Sequence, residues 1–248
     1  MRRITTTTLL MSAALALSLS ACSSDDEPAA ASPTAKPVEQ RTATERLAAA
    51  YDGGVAVLDA TDLKTVAELP LDGFLRLNPA GDDRHVFASG AAGFTLVDLG
   101  AWSEGHDDHS HHYTVEPHLT GVVYAAEKPG HVVVHDGRTA LFDDGTGTIR
   151  ILDSTRLAEE DALLTEFTVP AHHGVAVPRA DGSVVISVAD DEGARTGVAI
   201  RTADGKTVAT SDECPGLHGE AAAADGVLLF GCQDGVLLVD GETITKVA

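Results

Sequence analysis

The sequence predicts an all-β chain folded as a β-propeller of the WD40/YVTN-like kind. About four complete blades and a partial N-terminal blade are expected, in an incomplete ring. Three observations carry this. A Pro-x-x-x-Gly signal ahead of a strand recurs at Pro117-His118-Leu119-Thr120-Gly121, Pro170-Ala171-His172-His173-Gly174 and Pro215-Gly216-Leu217-His218-Gly219, with a fainter copy starting at Gly73. The four glycines are spaced by 48, 53 and 45 residues, the period of a four-stranded blade. Helical periodicity is nearly absent outside a turn around Leu157 to Leu164, and short apolar runs broken by Gly and Asp fill the rest. A sandwich would not repeat itself in this way.

In chain order, Arg2 and Arg3 precede an apolar run from Leu9 to Leu19 that closes on Leu19-Ser20-Ala21-Cys22. The run is far shorter than the ~20 apolar residues of a membrane span, so residues 1–21 read as a secretory signal. A small residue followed by cysteine is the lipobox pattern of bacterial lipoproteins. It makes Cys22 the lipidated first residue of a protein exported to the outer face of the bacterial cell membrane and held there by its lipid alone. Residues 22–44 are rich in Ser, Ala, Pro, Thr and charge and read as a disordered tether. The propeller domain is then 45–248.

Within it, Arg46 to Leu69 supplies three strands of a partial blade. The second strand of each following blade is assigned to His85-Val86-Phe87-Ala88, His131-Val132-Val133-Val134, Ser183-Val184-Val185-Ile186 and Val227-Leu228-Leu229-Phe230. Each is an apolar run with the length and β-branched character of a buried strand. In a closed ring the strand missing from the partial blade would come from the far end of the chain, and after four blades none is left to supply it, which leaves an open edge.

The chemistry concentrates in histidine. His106-Asp107-Asp108-His109-Ser110-His111-His112 holds four of the chain's eleven histidines in seven positions. Imidazole nitrogen with carboxylate oxygen is a ligand set that suits Zn²⁺, and short His-rich tracts mark metal binding. The propeller frame adds a second set. His118, His173 and His218 recur in the inter-blade signals and are expected at one mouth of the central channel, where His135 and Asp136, at the end of a second strand, also emerge. The His106–His112 loop joins the third and fourth strands of its blade, and is expected at the opposite face beside His85 and His131. The candidate metal ligands are therefore His106, His109, His111, His112, His118, His135, Asp136, His173 and His218. They form two sites, or one that the loop reaches.

The charge balance, 38 Asp and Glu against 17 Lys and Arg, gives −21, and −23 once residues 1–21 are removed. That excludes nucleic acid as a partner. Cys214 and Cys232 remain after lipidation of Cys22. In an oxidising compartment they are expected to form one disulfide, since zinc thiolate sites bring cysteines in closer pairs. The strand order also brings both to the same end of their blade. Asp143-Asp144-Gly145-Thr146-Gly147 lacks the oxygen spacing and closing Glu of a calcium loop and reads as a hairpin turn.

Five segments together resemble the periplasmic zinc metallochaperones of the AztD kind, over roughly residues 45–248. They are Gly105 to Tyr113, Pro129-Gly130-His131-Val132-Val133-Val134-His135, Phe142 to Gly147, Ala171-His172-His173-Gly174 and Cys214-Pro215-Gly216-Leu217-His218-Gly219-Glu220. The resemblance implies a β-propeller that binds Zn²⁺ and delivers it to the solute-binding protein of a zinc ABC importer, with no reaction catalysed. Members of that family look longer, which makes this chain look C-terminally short.

Two other classes fit parts of the sequence. One is a propeller hydrolase or lactonase using a channel-mouth metal, with Glu220 as its base. The other is a metal-independent interaction scaffold. Zinc as cargo calls for few protein ligands or an exposed site with a mobile histidine arm, because closed four-ligand sites are structural and release slowly. Binding is expected to weaken below about pH 6, since neutral imidazole is the ligand.

Overall fold

The computed structural model describes residues 36–248; the expected signal sequence, Cys22 and the first part of the expected tether lie outside the described residues. The chain forms β1 (Val38–Gln40), then a three-stranded sheet of β2 (Arg46–Tyr51), β3 (Gly54–Asp59) and β4 (Thr65–Pro70). Four four-stranded antiparallel blades follow. Blade 1 is β5 (Arg76–Pro79), β6 (His85–Gly90), β7 (Gly93–Asp98) and, after an inserted hairpin of β8 (Ala101–His106) and β9 (His109–Thr114), β10 (His118–Tyr124). Blade 2 is β11 (Pro129–His135), β12 (Arg138–Asp143), β13 (Thr148–Asp153) and β14 (Leu163–Thr168). Blade 3 is β15 (Ala176–Pro178), β16 (Val184–Ala189), β17 (Arg195–Arg201) and β18 (Thr207–Ser211). Blade 4 is β19 (Glu220–Ala222), β20 (Leu228–Cys232), β21 (Gly235–Asp240) and β22 (Thr243–Val247).

Apolar runs become central strands because these strands are covered on both faces. In β16, Val184 and Ile186 pack with Phe142 and Ile149 of blade 2, while Val185 between them packs with Phe230 and Leu237 of blade 4. In β12, Ala140 and Phe142 face blade 3 and Leu141 joins Phe87 and Leu96 of blade 1. Val55 and Val57 of β3 meet Leu75, Ala88 and Val97 in the same manner. The period-two alternation of a strand thus serves two cores at once, and consecutive blades stack face to face as a propeller requires. The three strands expected between Arg46 and Leu69 are present, and Cys214 and Cys232 form the expected disulfide.

Three expectations need correction. The Pro117–Gly121 signal does not open a blade. It starts β10, the outermost strand of blade 1, where His118 pairs with Asp98 and Leu119 with Val97. The inserted β8–β9 hairpin lengthens blade 1, so its last strand falls where the period would start the next blade. Counted from Gly130, Gly174 and Gly219, the spacing is an even 44 and 45. It follows that His131-Val132-Val133-Val134 belongs to an innermost strand, whereas His85, Val184 and Leu228 do begin or open second strands. The tether also ends sooner than residue 44, because Val38–Gln40 is stitched to β9 with Glu39 opposite Tyr113. The turn expected around Leu157 to Leu164 is present: Arg156 to Ala162 make turns that seat Leu157 in the core, and Leu163 begins β14.

Candidate metal centres

Two groups of three histidines converge among the described residues, His131 with His173 and His218, and His106 with His109 and His111. In each group the three candidate ligand atoms lie within 4.8 Å of one another.

The first group is assembled by the inner ends of blades 2, 3 and 4. His131 lies near the start of β11, His173 precedes β15, and His218 precedes β19. Their ring centroids are 4.9, 5.6 and 5.8 Å apart. His131 Nδ1 donates to the Gly174 carbonyl at 2.8 Å, and His173 Nδ1 donates to Asp144 Oδ2 at 2.6 Å. With Nδ1 holding the proton, the Nε2 lone pair of each ring is left for a metal. An outer partner of this kind fixes tautomer and ring orientation and raises ligand basicity.

Asp144, its side chain 3% exposed, also accepts the Gly174 amide at 3.2 Å. Room for it depends on glycine: a Cβ on Gly130 would lie 2.2 Å from Asp144 Oδ1, and one on Gly174 would enter the Phe142 ring. His218 is set by its backbone, whose amide bonds the Gly231 carbonyl, in a loop that the Cys214–Cys232 disulfide ties to β20. Glu220 follows at the start of β19. Burial pushes its carboxyl above the ordinary range, against the pull of the nearby His131 and His218. Three imidazoles with a carboxyl close by are a donor set that suits Zn²⁺ and leaves a coordination position open.

The second group sits on the hairpin. Asp107 and Asp108 form a two-residue turn, Asp107 in the left-handed region at φ 50°, which Asp tolerates. Alternation then places His109, His111 and Tyr113 on one face of β9, with His106 across the turn. Ring centroids are 4.9 to 5.9 Å apart. The Nε2 atoms of His109 and His111 are 3.1 Å apart, a separation that two neutral lone pairs relieve only by sharing a proton or a cation. Each Nδ1 has a carboxylate beside it: Asp107 at 3.4 Å for His106, Asp108 at 3.2 Å for His109 and Glu39 at 2.7 Å for His111. All of these groups are exposed or nearly so.

The structure brings together five of the nine candidate ligands, His173 and His218 in one group and His106, His109 and His111 in the other. His112 is on the opposite face of β9, its Nδ1 bonded to Ser103 Oγ at 2.7 Å. His118, at the edge of blade 1, turns its Nδ1 to the Glu116 carbonyl. His135 lies four residues beyond His131 along β11, roughly 13 Å further at ~3.3 Å per residue. Its Nδ1 donates to the Pro178 carbonyl at the far end of β15, and Asp136 beside it accepts the Ala180 amide.

His131, expected on the opposite face, is the residue sequence reasoning missed. The even Gly130–Gly174–Gly219 spacing, with a histidine next to each glycine, was the signal that could have found it. His172, next to His173, is structural: it is buried with both ring nitrogens bonded, to the Pro170 carbonyl and Ser187 Oγ. His85 likewise is enclosed by Asp82, at 2.5 Å from its Nδ1, and Asp98.

The chain is 33% identical over 190 residues to the zinc chaperone AztD of Citrobacter koseri, covering 75% of this chain and 45% of that protein. The crystal structure of the Citrobacter koseri AztD superposes with a TM-score of 0.73 at 26% identity, over 83% of this chain and 58% of the other. The apo form gives 0.72 at 28%, with the same coverage. The chain thus spans about half the length of the relatives it matches. A weaker likeness to Kluyveromyces lactis Hsv2p, with a TM-score of 0.53 at 13% identity over 80% of this chain and 60% of that one, concerns the fold alone. No protein-family model matches the sequence.

Proposed function

We propose that this chain, a relative of the AztD-type zinc chaperones in sequence and in structure, binds Zn²⁺ outside the cytoplasm and delivers it to the solute-binding protein of a zinc ABC importer. The observation that carries this reading is the convergence of His131, His173 and His218, from three blades, with two of their Nδ1 atoms committed to a carbonyl and a buried carboxylate. Such a site presents the Nε2 lone pairs of His131 and His173 with one ring nitrogen of His218 and leaves one coordination position for an incoming ligand, so transfer can proceed by exchange without the metal ever being free. The exposed hairpin triad is the arm that meets the receiving protein. A lipid on Cys22 would keep the carrier at the membrane surface where the importer works.

The test is a zinc titration of the mature, metal-stripped protein against a competing chelator. The loaded protein is then mixed with an importer solute-binding protein. Stoichiometric tight binding, with transfer faster than zinc leaves the donor alone, is the expected result. Transfer no faster than spontaneous release would rule out delivery in a docked complex, and affinity no better than that of scattered surface histidines would rule out the carrier role itself.

A further inference from the structure

The three carboxylates beside the hairpin histidines do not have the same origin. Asp107 and Asp108 are sequence neighbours of His106 and His109, and the turn alone places them. Glu39 reaches His111 from 72 residues away, on β1. β1 is three residues long, largely exposed, and among the described residues pairs with β9 alone. An edge strand that short is marginal in water unless side chains hold it. Two do: Gln40 Nε2 donates to Thr114 Oγ1 at 2.9 Å, and Glu39 Oε1 accepts from His111 Nδ1 at 2.7 Å.

We propose that β1 is a zinc-coupled latch in which Glu39 is a positioning residue for His111, so that loading of the hairpin and docking of β1 on β9 strengthen each other. The inference rests on reading the hairpin as a zinc site. A cation on His111 Nε2 makes the Nδ1 proton more acidic and its bond to a carboxylate stronger, while that bond in turn holds the ring in its ligating orientation. Coupling of this kind is reciprocal: whatever factor Glu39 adds to zinc affinity, zinc adds to β1 docking. Peeling β1 away therefore loosens the metal. Pulling on the chain that precedes Val38, or pairing another strand with β9, becomes a way of releasing zinc on docking instead of at random.

The experiment compares wild-type full-length protein with Glu39→Ala, Glu39→Gln and His109→Ala. Chelator-competition titrations resolve the hairpin and channel sites, and hydrogen exchange follows the Val38–Gln40 amides with and without zinc. Trp102, the chain's single tryptophan, sits on β8 stacked on Tyr113, and its unchanged zinc-free emission certifies that the variant hairpin is folded.

Glu39→Ala should weaken the hairpin site about tenfold, the lower end for loss of an outer partner, with Glu39→Gln between it and wild type. The channel site should stay within about twofold. Zinc should slow exchange of the β1 amides in wild type by a similar factor, and should leave it unchanged in Glu39→Ala. If His109→Ala abolishes hairpin zinc while Glu39→Ala leaves both affinity and exchange untouched, the latch is wrong although the site is real. If wild type shows no hairpin zinc and His109→Ala changes nothing, the site itself falls and the latch with it.

Discussion

The two histidine triads have the same donors but opposite construction. His131, His173 and His218 come from three blades that must all be folded and stacked before the rings meet, and their orienting partners are a backbone carbonyl and a carboxylate sealed in the interior. His106, His109 and His111 come from a single hairpin, β8–β9. Their orienting carboxylates stand in water, Asp107 84% and Asp108 98% exposed. The channel triad is preorganised by the whole fold, so little ordering is left for binding to supply. The hairpin triad is held by local pairing and by Nδ1 contacts that compete with solvent, so more ordering is left for a metal to supply. The same donor set is therefore held rigidly in one place and loosely in the other.

The largest effect should follow His131→Ala. Removing a direct ligand from the channel triad should lower its zinc affinity by more than the ~100-fold upper figure for an outer partner, with the hairpin site unaltered in the same chelator titration. His118→Ala is the paired control. His118 is at the edge of blade 1, so its loss should leave both sites within about twofold of wild type. Equal damage from the two substitutions would show that the strand register around β11 is not as described here.

Asp144→Asn tests the outer layer next. The substitution keeps the size of the side chain and an oxygen for the Gly174 amide, but removes the charge facing His173 Nδ1. A loss of about 10- to 100-fold in channel-site affinity is expected. Neutralising Asp107 or Asp108 should cost less, because water already screens them. If the exposed carboxylates matter as much as the buried one, burial is not what separates the two sites.

How far sequence could anticipate this contrast depended on which residues carried a pattern. Strands buried on both faces announce themselves as runs such as Val184-Val185-Ile186, and the disulfide followed from compartment and strand order. Polar strands leave no such trace. β8, Ala101-Trp102-Ser103-Glu104-Gly105-His106, and β9, His109-Ser110-His111-His112-Tyr113-Thr114, are largely polar, with no apolar stripe to mark a strand, so a hairpin read as a loop. β1, only three residues long, was absorbed into the tether for the same reason. The register error at Pro117 had a different cause. A regular spacing of glycines is convincing until an insertion mimics it, and the pairing of His118 with Asp98 reveals that a strand has been miscounted. His131 was lost through that slip alone, since its neighbour Gly130 keeps the true period.

The smallest expected effect lies where the hairpin meets the body of the propeller. Arg84, from the turn before β6, places its guanidinium 3.8 Å from the centre of the Trp102 ring, and Asp98 holds it there through bonds of 2.6 and 3.1 Å. Burial alone would raise the Asp98 carboxyl. The hydrogen bonds from Arg84, the charges of His85 and Arg84 and the Gly100 amide outweigh burial and leave it below the ordinary range. Asp82, which accepts from His85, is shifted the same way, with burial again opposed by its bonds to His85.

For a carboxyl whose folded value is depressed, the stabilisation is complete above the unfolded value, about 3.9 for Asp, and is lost as pH falls through the folded one. The contribution of the Asp98–Arg84 pair to Trp102 emission of the zinc-free protein should therefore stay constant down to the ordinary Asp value, about 3.9. Below that it should change, as Asp98 takes up a proton and frees Arg84. Arg84→Lys keeps the charge but gives up the planar stack and the forked bond, at a cost of about 0.5–1 kcal/mol for a partly exposed cation–π pair. At pH 7 it should shift Trp102 emission and lower the melting temperature slightly, with channel-site affinity unchanged. Should Arg84→Lys weaken the channel site as well, the hairpin and the channel are not independent, and the contrast between a rigid triad and a loosely held one would have to be redrawn as a single coupled path.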